Sequence, residues 1–460
     1  MDIRKILDNV PDYAEFMTVD QLNASTRRLA ERYPGRVTVF EAGVSRKGDP
    51  ILCIKIGEGT QSALCFACPH PNEPIGAMTL EYLSWTLAEN EDFLSQTGLT
   101  WYLIKCVDPD GTRLNEGWFK GPFTLFNYAR HFFRPVGYEQ VEWTFPIDYH
   151  DLRFDAPMPE TQALMRLIDR TRPVFIYSLH NAGFGGAFWY ISRDMPGVYD
   201  RLRASAKRNG VPLHLGEPEM PYVEMFSEAV YKMVGSRDQY DYMVRVTGKP
   251  PRPKHPYGGS SNDYASERLK NYVLLLTELP YFFDSHIANM QPAGMTRREA
   301  VLRNVEITRA HMSRLSGYRT RVQHFISADN PFMKLVDMML DDYGDFAEVK
   351  RQWAEKSPEL EAEATVAAVF DNTCIVNFYN ALNIGLMVRS CEYELAAGTA
   401  LSPEARGEAA AVRDEALACL TDLCNEMERT FDYSVIPIAN LVRIQLESCF
   451  AVSGEQTGRR

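Results

Sequence analysis

No stretch of this 460-residue chain is apolar for long enough to span a bilayer as a helix, since even residues 273–283 are broken by Thr277, Glu278 and Pro280. The opening MDIRKILDNVPDYAEF carries Asp2, Arg4, Lys5 and Asp8, lacks the apolar core of a secretory signal, and reads as an amphipathic leader. Basic clusters are equally scarce. Only short ones such as Arg297-Arg298 and Arg459-Arg460 occur, and a net charge of −12 with a pI near 5.4 argues against nucleic acid as a partner. There is no internal repeat and no low-complexity segment. The nine cysteines are odd in number and scattered, which fits reduced thiols in a cytoplasmic protein better than a disulfide framework. Cys65 and Cys68 form a C-x-x-C with no second pair, inside an apolar run, and read as small buried residues.

What is present is a folded globular composition, 45% hydrophobic and 12% aromatic, over a length that predicts two or three domains. Its most informative stretch is ACPHPNEPIGA, residues 67–77. Before it, Ala63, Leu64, Cys65, Phe66, Ala67 and Cys68 predict an interior strand. After it, Pro74 suits a first helical turn, and Ile75, Met78, Leu80, Leu83 and Leu87 recur at near-helical spacing. His70 and Glu73 therefore fall on a strand-to-helix turn, where open α/β sheets place their ligands. An imidazole and a carboxylate three positions apart reach one divalent ion, and a catalytic zinc takes a third protein ligand.

Upstream, a helix opening at Thr18 stops at Tyr33-Pro34-Gly35, and a hairpin follows: strand 37–40, polar turn 45–50, strand 51–57. The order YPGRV, GVSRKGDPI, CIKIGEG, CFACPHPNE resembles the opening of the zinc metallocarboxypeptidases, the carboxypeptidase A and B family. The resemblance covers roughly residues 17–285 and implies a mixed twisted sheet flanked by helices, one zinc per chain, and hydrolysis of an amide bond.

Asp108-Pro109-Asp110-Gly111 and the following Arg113 and Asn115 resemble the family's Asn-Pro-Asp-Gly segment with Asp108 in place of Asn, and the resemblance makes Arg113 the oxyanion-stabilising guanidinium. The aromatic, proline-interrupted segment 118–159 predicts a long loop packed as a lid or pocket wall. The family's Asn-Arg pair for the substrate carboxylate is absent from it. Ala129-Arg130-His131-Phe132 comes nearest, and Arg130 or Arg134 would supply the charge.

A strand over residues 174–179 ends in His180, which matches the third ligand. His214, Glu217 and Glu219 read as solvated loop residues rather than a second metal site. The irregular segment 249–264 resembles the stretch that holds the family's mobile tyrosine: one alignment puts Lys254 there and another His255, with Tyr257 close enough to substitute. Asn262 or Asp263 would line the side-chain pocket. The strand NYVLLL leads to Glu278, an acid at the end of an apolar run that needs a partner or a function; the resemblance makes it the general base.

Residues 291–460 predict helices at 296–315, 331–343, 345–356, 365–397, 403–429 and 436–450, an all-helical domain added to a catalytic domain at 1–290. Its apolar faces cover the catalytic domain, one another, or a second copy in a homo-oligomer. The expected reading is a zinc-dependent metallocarboxypeptidase that holds its metal on His70, Glu73 and His180, uses Glu278 and Arg113 in catalysis, and binds a peptide through Arg130, Tyr257 and Asp263. The alternatives are a zinc amidase or deacylase for a small metabolite or modified amino acid, and a binding protein without turnover.

Overall fold

The computed structural model describes residues 3–220, 222–251, 256–396 and 401–458. The predicted hairpin forms from Val37–Val44 (β1) and Pro50–Ile56 (β2), paired antiparallel. Seven further strands complete the main sheet: Gln61–Ala67 (β3), Leu99–Ile104 (β4), Phe175–Leu179 (β5), Phe188–Ile191 (β6), Met225–Ser227 (β7), Val230–Lys232 (β8) and Val273–Glu278 (β9). They lie in the order β1-β2-β4-β3-β5-β9-β6-β8-β7. The four central strands β4, β3, β5 and β9 run parallel, and antiparallel partners flank them on both sides. Parallel strands are covered on both faces, which is why β3 and β5 are almost continuously apolar and Ala63 to Ala67 are fully buried.

Register decides where the chain can do chemistry. Ala67 of β3 pairs with Leu179 of β5, and Leu179 is in turn level with Thr277 of β9. The carboxyl ends of three consecutive parallel strands therefore emerge side by side. Period-two alternation then sorts the side chains. On one face the Tyr177 hydroxyl meets Thr277 and the Gln445 carbonyl, while on the other the Ser178 hydroxyl donates to Glu142. Helix Ile75–Glu89 starts directly over the strand ends, because a side chain at Gly76 would meet Leu179 and Ala67 within 2.9 Å.

The helical region does not stand apart as a second core. Helices Arg297–Val322, Pro331–Lys356, Val376–Ala396 and Pro403–Thr430 pack on one another and on the segment that follows β4. Residues 331–343 and 345–356, expected as two helices, form one, and the expected helix 365–397 is interrupted by a π-helical turn at Asp371–Ile375. The last helix, Ile438–Gln456, returns to the sheet, where Gln445 bonds to Thr79, Thr277 and the carbonyl of His180, and Trp189 donates to Ser448. One apolar cluster consequently runs from Ile6 to Val452 across position 290, and a small second one, Val301, Ala354 and Leu360, lies within the helical region. The segment 118–159 is not a plain loop either: it folds into helix Leu125–His131 and a hairpin of Ile147–Tyr149 with Leu152–Phe154.

Docking of the helical region is specific. Arg389 donates to the carbonyls of His131, Phe132 and Leu114, and Gly385 crosses helix Leu125–His131 so closely that a Cβ there would sit 2.0 Å from the Ala129 carbonyl. At the end of β4, Asp108 caps its turn by accepting from the Gly111 amide, while its other oxygen is buried without a partner. Burial pushes this carboxyl up to about 7, against the Gly111 amide and the Arg46 charge.

Two consequences are measurable. Gly385→Ala forces the helical region to lift and should lose about 1–3 kcal/mol in urea unfolding. Asp108 binds a proton in the folded chain at pH values where the unfolded carboxyl, with a pKa of about 4, has lost it. Stability contributed by that proton therefore falls as pH rises from about 4 to about 7. Asp108→Asn should be near neutral at pH 4 and stabilising at pH 8 by the same assay.

Candidate active site

The three strand ends converge on one carboxylate. Beyond β3 the chain turns at Cys68, which adopts φ 54°, and brings His70 and Glu73 back over the sheet. Nδ1 of His70 lies 3.1 Å from Oε1 of Glu73, Nδ1 of His180 lies 3.0 Å from Oε2, and the two Nδ1 atoms are 3.1 Å apart. All three side chains are buried, and among the described residues they form the single group of side chains arranged to hold a metal.

The hydrogen bonds around His180 set its tautomer. The hydroxyl hydrogen of Ser178 goes to Glu142 at 2.7 Å, so Ser178 Oγ accepts from Nε2–H of His180 at 2.8 Å. Nδ1 of His180 is left facing the Glu73 carboxylate, an arrangement that demands a cation between them. When that cation is a proton, Glu73 and Glu142 outweigh burial and raise His180 to about 10. His70, lowered to about 4 by burial and then by the charge of Arg134, stays neutral and able to ligate. Two imidazole nitrogens and one carboxylate, with an outer carboxylate–serine pair orienting one imidazole, are the donor set of a catalytic zinc. The residues fit the metal.

Glu278, the last residue of β9, points into the same space with Oε1 3.9 Å from Nδ1 of His180. Burial, then the neighbouring Glu73 carboxylate, holds its pKa well above the usual range. The cavity above encloses about 810 Å³ and is walled by the sheet on one side and by Asn304, Lys350, Asp371 and Tyr379 of the helical region on another. Tyr379, 45% exposed, owes that exposure to the cavity it lines.

Several expected residues lie elsewhere. Arg113 is not at the centre: its guanidinium chelates Asp49 at 2.8 and 2.9 Å and reaches Asp20 at 2.7 Å, outside the cavity lining. The guanidinium at the metal cluster belongs to Arg134, whose Nη1 is 3.3 Å from Oε1 of Glu73. Arg130 pairs with Glu392 of the helical region at 2.5 Å, and so ties the two parts of the chain together rather than facing a substrate. Asp263 is buried beneath the cavity floor, where it accepts from the amides of Ser260 and Ser236 at 2.9 and 3.1 Å, and Asn262 takes the place in the lining. Tyr257 is not among the lining residues, and Lys254 and His255 fall outside the described residues. His214, Glu217 and Glu219 are not solvated loop residues but part of the cavity wall, with Arg297 chelating Glu217 and Tyr190 donating to Glu219. Glu142, Ser178 and the helical lining escaped sequence reasoning. Only Ser178 left a trace there, two positions before His180 on the same face of a strand.

Among solved structures, carboxypeptidase A from Helicoverpa armigera aligns at 15% identity and a TM-score of 0.39, over 58% of this chain and 65% of that one. A metallo-carboxypeptidase from Burkholderia cenocepacia aligns at 15% identity and 0.32, over 57% and 60%. A metallo-carboxypeptidase from Pseudomonas aeruginosa aligns at 16% and 0.31, over 55% and 58%. The zinc carboxypeptidase family matches residues 22–280, more than half of the sequence and every strand and ligand described above, and the chain belongs to that family.

Proposed function

We propose that the chain is a metallocarboxypeptidase that releases the C-terminal amino acid of a short peptide. The observation that carries this reading is the meeting of Glu278 and Arg134 with the His70–Glu73–His180 cluster in one cavity. When bound, zinc supplies Lewis-acid activation of water and of the scissile carbonyl. Glu278 takes the proton that the water loses as its oxygen adds to the carbonyl carbon, and delivers it to the amine nitrogen as the C–N bond breaks. Its raised pKa suits it to carry that proton between the two steps. Arg134, always charged, binds the oxygen on which negative charge develops. The helical wall limits the substrate to a small molecule or the end of a chain, a feature that also suits an amidase for a modified amino acid.

The setting we propose is cytoplasmic, supported by nine free cysteines. No helix among the described residues is long and apolar enough to cross a membrane. The apolar helix faces find cover within the chain: the exposed large hydrophobic residues are few and scattered, so the expected homo-oligomer gains no support from a shared apolar patch.

Elemental analysis with a peptide-release assay tests this reading. The unsubstituted protein should hold about one zinc per chain and release free amino acid; Glu278→Gln should keep the zinc and lose roughly 10²–10⁴-fold in rate. Release that persists in Glu278→Gln, or a protein that binds no zinc, would sink it. Arg134→Ala should lower kcat by about 10²–10³-fold, while Arg113→Ala leaves kcat intact and costs at most about 1 kcal/mol of stability. Ser178→Ala should weaken zinc affinity by about 10–100-fold in a chelator competition.

A further inference from the structure

The cavity wall contains one cation with no assigned partner. Lys350, on helix Pro331–Lys356, lines the cavity, and its ammonium makes a single hydrogen bond among the described residues, to Oδ1 of Asn304 at 2.8 Å. Two of its three N–H donors are therefore unused. Burial lowers its pKa, and Asp371 and Glu217 only partly offset that cost. Neither carboxylate comes within ion-pair distance of it, and both are engaged elsewhere: Glu217 is chelated by Arg297, and Asp371 accepts from the Glu217 amide at 3.0 Å and faces His214 at 3.7 Å. Of the described lining, Arg134 is the other fixed cation, and it stands at the metal cluster, 3.3 Å from Glu73. Asn304 gives its oxygen to Lys350, and among the described residues its amide N–H donors have no hydrogen-bond acceptor.

A half-buried ammonium and a carboxamide that together turn donors toward a cavity form a receptor for a carboxylate, which accepts through both oxygens. We propose that Lys350 and Asn304 bind the free carboxylate of the substrate, so that the helical region is part of the active site and restricts it to substrates ending in a carboxylate. This rests on the reading of the cavity as the place of peptide hydrolysis. It makes Lys350 a substrate-binding residue contributed from outside the catalytic sheet, and it gives the wall formed by helices Arg297–Val322 and Pro331–Lys356 a chemical task besides exclusion of bulk.

Binding without turnover tests it. The full-length, zinc-loaded chain carrying Glu278→Gln is titrated calorimetrically with N-acetyl dipeptides ending in aromatic, basic or acidic residues, each as the free acid and as the C-terminal amide. The acid should bind about 10–100-fold more tightly than its amide for the preferred residue, the difference that a charge-assisted hydrogen bond makes. Adding Lys350→Met should bring acid and amide to within about threefold, and adding Lys350→Arg should restore most of the preference. Removal of a half-buried charge should leave thermal unfolding of Lys350→Met at or above that of its parent, which separates a lost contact from a lost fold. A preference for the acid that survives Lys350→Met, or no preference for any acid in the parent, overturns the assignment. Absence of hydrolysis by the chain with Glu278 intact counts against the peptidase reading instead, since the titration involves no turnover.

Discussion

Glu73 is a buried carboxylate, 2% exposed, placed between two imidazoles and a guanidinium. An anion in that position is tolerable only if cations and donors surround it, and the fold is arranged so that they do. His70 comes from the same turn, His180 from the end of the neighbouring parallel strand, and Arg134 from the segment that follows helix Leu125–His131. The register that sets Ala67, Leu179 and Thr277 level is therefore a functional constraint as much as a packing one. A slip of one residue in β5 would exchange the face of Ser178 and His180 for that of Tyr177 and Leu179, and would remove a ligand together with the serine that orients it.

The same constraint explains the position of the acids. Glu142 accepts from Ser178 and Ser261 and lies 3.8 Å from Nε2 of His180, so it stabilises the proton on Nε2 without competing for Nδ1. Glu278 stands nearer, and burial, then the repulsion between it and Glu73, keeps its proton affinity high. One carboxylate is held ionised and another is driven toward the protonated form in one cavity, so environment alone makes the two acids chemically distinct.

The helical region changes what the sheet can do. Without it the strand ends would open to solvent; with it they face a bounded cavity whose wall carries its own amides, a tyrosine and a lysine. The attachment is deep. Gly385 lies against the backbone of Ala129, Arg389 gathers three carbonyls of the catalytic segment, and helix Ile438–Gln456 completes the cover of the sheet. The sheet that carries the cluster and the helices that wall the cavity consequently share one apolar core.

The sequence by itself determined the long apolar strands, the turn with His70 and Glu73, the places of His180 and Glu278 at strand ends, and the helical character of the last third, because each rests on local signals: apolar runs, turn residues, an acid at the end of a buried strand. It could not decide between guanidinia. Arg113, Arg130 and Arg134 lie within 22 positions of one another, and only the fold shows that the first is spent on Asp49 and Asp20, the second on Glu392, and the third on Glu73. Nor did it reveal that Asp263 serves its own loop or that Glu217 and Glu219 face a cavity, since burial of a loop is a property of what packs over it. The meeting of residues some 280 positions apart, His70 with Lys350 in one wall, belongs to tertiary structure alone: no local preference encodes which helix closes over which strand end, and that choice is made by the summed packing of the whole chain.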